Sequence, residues 1–325
     1  MADEGGVSFW LPGIFGSLAA APLQPGWSVA STYCHTSVSA GGDVALSREF
    51  SIGKIPLNLS ANLSASLDAR VDIGLLVSSY TFATPVLGGQ ATLGIMGIYG
   101  HNSTSLAGTL MGTLTLPGGG TIPFSRSDSF NDSIWGFGDL YPQFSLRRNN
   151  GVHNYMTYVT GDIPVGAYES TRLANIGIGH GAIDAGGGYT YLNPQTGHEF
   201  SAVLGFTYNL KNDSTGVDMH LDWGASQFLS KQLLVGAVGY VYKEIGCDSG
   251  SGDHVGCFQS QVVGVGPQIG FIFPIGDMQG YLNIKGYKEF AAEKRPDGWN
   301  TWVTLAISPS TQRPPSVQPP LVRKY

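Results

Sequence analysis

Acidic and histidine side chains alternate along one stretch of the chain, in a pattern that could support proton transfer or metal binding. Asp218, His220 and Asp222 are two residues apart, so in a β-strand they would share one face. His180 and Asp184 are candidate neighbours from an earlier stretch. Side chains two apart on a strand are separated by about 7 Å, too far to hold one ion without other ligands. The chain has neither a Gly-x-Ser-x-Gly elbow nor a His-Glu-x-x-His motif, so we expect no enzyme, metal or cofactor site.

A second alternating stretch carries Asp68, Arg70 and Asp72 on one face and apolar side chains, including Leu67 and Leu75, on the other. In a barrel with a polar lumen, the charged face would point inward and the apolar face would point to lipid. Buried charges need partners, so Arg70 would be the centre of a network across the lumen. The predicted network comprises Asp68, Arg70, Asp72, Asp139, His180, Asp184, Glu199, Asp218, His220, Asp222 and Lys285. Either it fills and stiffens a narrow barrel, or it lines a path that favours cations because acids outnumber bases.

The element that would position these groups is clearest in residues 197–210. Phe200, Leu204 and Phe206 fall on one face of this stretch, and Glu199 falls on the other. A strand of a soluble sandwich would bury the apolar face in a core. A strand of a membrane barrel would turn the same face to lipid and the polar face to a lumen.

The composition of the chain favours the membrane barrel. Of the 325 residues only 12% are charged, and 47 are glycine, whereas soluble domains have about 25% charged residues and about 7% glycine. Mean hydropathy is +0.04, as expected where only alternate residues face lipid. No apolar run reaches the roughly 18 residues of a transmembrane helix. The net charge of −6, with 17 Lys and Arg residues, leaves no basic patch for nucleic acid.

The order of the connections also favours an all-β, transmembrane, antiparallel barrel of about twelve strands. The predicted strands are residues 27–38, 63–83, 90–100, 134–146, 154–160, 175–192, 198–210, 217–228, 232–243, 258–273, 279–290 and 299–308. Short and long connections alternate between them, which is typical of bacterial outer-membrane barrels and has no reason to occur in a sandwich. The long stretch 101–133 could extend its hairpin beyond the membrane.

The N-terminal stretch, residues 7–25, is apolar but is interrupted by proline and glycine and has no period of two. Irregular backbone is not tolerated facing lipid. The stretch is therefore either a disordered tail or a segment inside the lumen, and we expect the second. There, an apolar pocket would be lined by Phe9, Trp10, Leu11, Ile14 and Phe15.

Several motifs are similar to those of a known family. They are EGGVSFWLPG (4–13), GFGDLYPQFSL (136–146), HNYMTYVTGDIPVGA (153–167), HLDWGASQFLSK (220–231), GPQIGFIFPIG (266–276) and RPDGWNTWVTLAISP (295–309), together with residues 173–208. These stretches resemble the outer-membrane channel family associated with the meta-pathway of phenol degradation in Gram-negative bacteria. The resemblance spans residues 4–309. It implies a monomeric barrel in outer-membrane lipid that takes up small hydrophobic, often aromatic, molecules; a general porin for hydrophilic solutes is the alternative.

Proline positions suggest where a hydrophobic solute could leave sideways through the wall. Proline has no N–H, and within sheets it is confined to edges, strand starts and bulges. Pro142 lies in the middle of a predicted strand, and Gly161 and Pro164 follow the next strand. Pro267 is a competing position. The resemblance through residues 136–146 favours Pro142, beside which we expect a bulge or gap.

The chain divides into an N-terminal lumen segment at 1–26, a barrel at 27–309 and a Pro-rich tail at 310–325. We expect the tail to be extended and disordered. Cys247 and Cys257 bracket a loop rich in Gly, Ser and Asp and could close it with a disulfide in an oxidising compartment.

Overall fold

The computed structural model describes residues 9–41, 62–115, 121–210, 216–246 and 259–310. In these ranges it forms one closed barrel of twelve antiparallel strands. The strands are β1 (Gly26–Gly41), β2 (Asn62–Thr81), β3 (Gln90–Thr115), β4 (Thr121–Asn150), β5 (His153–Gly161), β6 (Ala182–Leu192), β7 (His198–Asn209), β8 (Val217–Phe228), β9 (Leu233–Glu244), β10 (Gln261–Ile275), β11 (Met278–Glu293) and β12 (Asp297–Pro309). Within the same ranges, no helix is long and apolar enough to cross a bilayer.

Each strand pairs with its neighbours in sequence, and β1 pairs with β12 to close the barrel. Closure gives every strand a partner on each side, as a spanning sheet requires because lipid offers no hydrogen-bond partners. The fold class predicted from the sequence is therefore confirmed. The predicted bounds 90–100 and 134–146 are too short, since β3 and β4 have 26 and 30 residues, whereas about 9–11 residues cross a bilayer. Their hairpin extends the barrel well beyond membrane thickness on the side of the long connections. The extension of this hairpin through residues 101–133 is as predicted.

Residues 9–25, called the lumen segment below, lie inside the barrel and join β1 at the end that carries the short turns. Phe9 and Trp10 are buried in one cluster with Tyr141, Tyr240 and other inward side chains of the wall. The outer wall exposes alternate apolar residues, including Phe200 and Phe206. The core of this protein thus lies in its lumen.

The predicted orientation of β2 is wrong. Leu67 and Leu75 are buried inside the barrel, whereas Asp68 and Arg70 are exposed on the outer wall. Asp72 is also on the outer wall, where its carboxylate accepts hydrogen bonds from the Tyr33 hydroxyl and from His35. The cause is that the lumen is apolar on this side, so the apolar face of β2 packs inward. The three charges lie in the half of β2 nearer the long connections.

The predicted start of β6 is also wrong, since the strand begins at Ala182 and not at residue 175. The preceding residues fold against the segment that follows β5: Ile176 N–H donates to the carbonyl of Ala167 at 3.1 Å. Ile178 N–H donates to the Asp139 carboxylate at 2.8 Å. These bonds replace the strand pairing that the sequence pattern suggested. Cys247, Cys257 and residues 311–325 lie outside the described residues.

Candidate functional site

Residues 13–15, in the half of the lumen segment farther from β1 (its upper part), are held by one acid and one base of the wall. Asp222, on β8, accepts hydrogen bonds from the N–H groups of Gly13 and Phe15 at 3.0 and 3.1 Å. Lys285 Nζ, on β11, donates to the carbonyls of Gly13, Ile14 and Phe15 at 2.5, 3.1 and 2.9 Å. An irregular segment has no strand partner for its backbone groups. The two charges supply these partners and are themselves satisfied.

Residues 18–20, in the half of the lumen segment nearer β1 (its lower part), are bonded in the same way to the neighbouring strands β7 and β6. Leu18 N–H donates to the Glu199 carboxylate at 2.9 Å. Ala20 N–H donates to the Thr190 hydroxyl at 2.9 Å. Wall side chains of β6, β7 and β8 therefore hold the segment along its length.

Aromatic contacts complete the attachment. The indole of Trp10 stacks on the imidazole of His220, with ring centres 3.5 Å apart and planes at 13°. His220 pairs with Asp184 at 2.8 Å, and both side chains are fully buried. Phe9 contacts Tyr141 across the lumen at 5.3 Å. The acid–histidine face found in the sequence thus supports the segment.

Among the residues that the structure describes, the remaining predicted charges make separate local contacts, and no network forms around Arg70, which is exposed on the outer wall. Asp139 accepts the N–H groups of Gly166 and Ile178. Asp218 is buried beside Asn209, and His180 is buried in the segment between β5 and β6. In the described ranges, no group of three or more His, Cys, Asp or Glu side chains is arranged to hold a metal ion.

Two cavities lie against the lumen segment, and Trp10, Leu11 and Tyr141 line both of them. The lower cavity, of about 240 Å³, lies between the segment and strands β1–β5. Its lining is Phe9, Trp10, Leu11, Ile14, Phe15, Thr32, Val77, Met96, Tyr141, Gln143, Ser145, Arg147, Met156, Tyr158, Thr160 and Thr304. All five residues predicted for an apolar pocket are in this lining.

The upper cavity, of about 150 Å³, lies on the side of the long connections. Its apolar lining includes Ile73, Ile98 and Trp302, and Arg295 enters it from the turn between β11 and β12. Arg295 was not identified as a site residue from the sequence. Nothing in the strand pattern marks it, because it lies in a turn.

The wall is interrupted beside the lower cavity. β4 and β5 pair as far as Gln143 and Thr160, and Leu140 pairs with Ile163 in the same register. Between these two pairs, Pro142 lies opposite Gly161 but is not part of the continuous register, and it has no N–H to donate across the seam. This wall interruption is flanked by Gln143 and Thr160, which also line the lower cavity.

The wall beyond the interruption is completed by irregular backbone. Ile163 N–H and the Leu140 carbonyl are 2.9 Å apart, and Ala167 N–H donates to the Phe137 carbonyl at 2.8 Å. Pro164 lies in this segment and is exposed. The register shift of β4 lies close by, on its β3 side, between the pairs Gly97–Leu140 and Tyr99–Phe137. The expected bulge is thus separated from Pro142 by a few residues.

The protein is a β-barrel with an internal segment and an apolar interior. The chain belongs to the family described as "Putative MetA-pathway of phenol degradation", whose model matches residues 40–305. The family resemblance seen in the sequence is confirmed. A search of curated protein sequences found no match to this chain.

Solved structures include similar barrels. The COG4313 outer membrane channel from Pseudomonas putida F1 has a TM-score of 0.62 at 12% identity, covering 89% of this chain and 97% of that one. The transport unit of the autotransporter AIDA-I from Escherichia coli has a TM-score of 0.40 at 11% identity, covering 95% of both chains. A Pseudomonas aeruginosa FadL homologue has a TM-score of 0.35 at 10% identity, covering 94% of this chain and 96% of that one. The first similarity shows a shared fold.

Proposed function

We propose that this protein is an outer-membrane channel for the passive uptake of small hydrophobic, aromatic molecules in a Gram-negative bacterium. It acts as a monomer embedded in outer-membrane lipid, without a cofactor and without catalysis. The observation that carries the proposal is the lower cavity, whose aromatic and methionine lining meets a wall interruption. Family membership and the fold shared with an outer-membrane channel support the same function.

The path begins at the end of the long connections and enters the upper cavity. It passes Trp10, Leu11 and Tyr141, which line both cavities, and reaches the lower cavity. A hydrophobic solute gains little by entering the aqueous periplasm, because apolar surface is less stable in water than in lipid. It therefore leaves through the wall interruption between Pro142 and Gly161 and enters the membrane.

A disulfide across the wall interruption tests the lateral exit. Leu140→Cys and Ile163→Cys are paired outward-facing positions beside it, and antiparallel neighbours are close enough for a disulfide. The background carries Cys34→Ser, Cys247→Ser and Cys257→Ser. We expect oxidation to reduce uptake of radiolabelled naphthalene into producing cells at least fivefold, and a reductant to restore it.

The matched control is a disulfide between Leu146→Cys and Thr157→Cys, paired in the uninterrupted part of the same two strands. It should leave naphthalene uptake unchanged. Equal uptake with and without the Leu140–Ile163 cross-link would overturn the lateral exit.

The second candidate is a general porin for small hydrophilic solutes, and the buried charges of the wall are its motive. The hydrogen-bonded lumen segment favours the first candidate, because an apolar segment serves no purpose in a water-filled pore. Swelling of protein-containing liposomes in sugar solutions separates the two. Rapid sugar entry would favour the porin, and we expect none above protein-free liposomes.

A further inference from the structure

The upper cavity has the size and lining of a site for one aromatic ring. Its volume is about 150 Å³, and its lining includes Trp10, Ile73, Ile98 and Trp302. An apolar cavity of about this volume in another protein holds one benzene molecule. The rings and aliphatic groups therefore suit the apolar part of a ligand.

The amide groups of this lining already have partners. Asn102 Nδ2 donates to the Asn175 carbonyl at 2.9 Å, and Asn102 Oδ1 accepts the Thr104 hydroxyl at 2.9 Å. Asn300 Oδ1 accepts the indole N–H of Trp302 at 2.9 Å. These groups stiffen the cavity and leave little hydrogen-bonding capacity for a ligand.

Glu289, the acid of the lining, is also engaged at both oxygens. Its Oε1 accepts the Tyr240 hydroxyl at 2.6 Å, and its Oε2 accepts the N–H of Gly298 at 2.9 Å. Its charge offsets part of the nearby positive charge, but neither oxygen lies within 4.0 Å of the Arg295 guanidinium. Glu289 therefore acts as an acceptor for the wall and not as the ion-pair partner of Arg295.

Arg295 differs from these groups. Its guanidinium carbon lies over the ring of Tyr242, 4.6 Å from the ring centre. Among the described residues it has no hydrogen bond, and no carboxylate lies within ion-pair distance. A contact with a ring face occupies no hydrogen-bond acceptor, so the N–H donors of the guanidinium stay available, in a fork that matches a carboxylate.

We propose that the upper cavity binds aromatic monocarboxylates, with the ring between Trp10 and Trp302 and the carboxylate on Arg295. This inference rests on the proposed uptake function and names the class of solute that the entrance selects. A bidentate pair between guanidinium and carboxylate combines charge with fixed geometry. The site therefore selects aromatic compounds with a carboxylate group over aromatic compounds with a hydroxyl group.

Equilibrium dialysis of the full-length protein in detergent, with radiolabelled benzoate and radiolabelled benzyl alcohol, tests the site. The two probes have the same ring and differ in the charged group. We expect benzoate to bind at least tenfold more tightly than benzyl alcohol. Arg295→Gln should weaken benzoate binding at least tenfold, change benzyl alcohol binding less than twofold, and be partly restored in Arg295→Lys.

Lys288→Gln is the charge-matched control, because Lys288 is exposed on the outer wall of β11. It should change neither affinity. Heat-resistant mobility on gels shows that each variant retains its barrel. Unchanged benzoate affinity in folded Arg295→Gln would overturn the proposal. Equal affinities of the two probes would overturn it as well, because they would show that a carboxylate of the protein itself occupies Arg295. Failure of the proposed function is read separately, from naphthalene uptake, since naphthalene has no carboxylate.

Discussion

The charges inside this barrel bind backbone. Asp222 and Lys285 carry opposite charges, yet both bond the stretch from Gly13 to Phe15. Asp222 accepts hydrogen bonds from two of its N–H groups, and Lys285 donates to its three carbonyls. A buried charge without such bonds is strongly destabilising. The lumen segment therefore supplies the hydrogen-bond partners of both charges, and both charges position the segment.

Replacing Asp222 by Asn tests this attachment. The amide keeps one acceptor oxygen but turns an NH₂ group towards an N–H of the segment, so one hydrogen bond is lost and a repulsive contact replaces it. Loss of a buried hydrogen bond to a charged group costs about 1.5–3 kcal/mol. We expect more frequent opening events in single-channel recordings, with the barrel itself unaffected.

The control for this variant is Asp277→Asn, an exposed acid in the turn between β10 and β11. It should leave the recordings unchanged. Identical traces for Asp222→Asn and the parent protein would show that other contacts hold the segment by themselves.

Residue alternation predicted which side chains share a face, but not always which face is inside. In β7 the polar face, with Glu199, is in the lumen as predicted. In β2 the same rule failed for Arg70, because an apolar cavity and not water lies behind that strand. The partner of Asp222 was also beyond the sequence pattern, since Gly13 is 209 positions away.

At the scale of elements, β8 was predicted at its exact bounds, 217–228, because a strict period of two is visible there. Residues 175–181 also alternate, but they are bonded to Ala167 and Asp139 in place of a strand. Contacts from outside the segment determine that result, and a local pattern does not contain them.

Deleting residues 2–25 removes the lumen segment as an element. Its apolar side chains each contribute roughly 1.5–3 kcal/mol by burial, but the closed ladder of the wall does not depend on them. We expect single-channel conductance to rise several-fold while the barrel stays heat-resistant on gels. Unchanged conductance would place the resistance to ion flow elsewhere.

At the scale of the whole molecule, the lumen has two chemically different sides. Strands β6 to β8 present acids and hydroxyl groups that bind the lumen segment, whereas β1 to β5 present most of the lining of the lower cavity. This division explains why a rule that expects polar residues inside works for one half of the chain and fails in β2. It also places the wall interruption on the apolar side, where a hydrophobic solute would be.

Ion selectivity depends on the charge of the entire lumen. In the described residues the buried acids are Asp139, Asp162, Asp184, Glu199, Asp218, Asp222, Glu244 and Glu289. The bases that line the lumen include Arg147, Lys285 and Arg295. Asp68, Arg70 and Asp72 lie on the outer wall and not in the lumen, but the lumen still has more acids than bases. We therefore expect reversal potentials in a salt gradient to show cation preference, which weakens as salt screens the charges.

Two arginines provide a matched pair for this measurement. Arg295→Gln removes a positive charge from the upper cavity and should increase the cation preference. Arg70→Gln removes the same charge from the outer wall and should leave the reversal potential unchanged. Anion preference in the parent protein would mean that the buried carboxylates are neutralised by protons, since burial disfavours their charged form. In that case the bases along the path, Arg147, Lys285 and Arg295, would determine which ions pass.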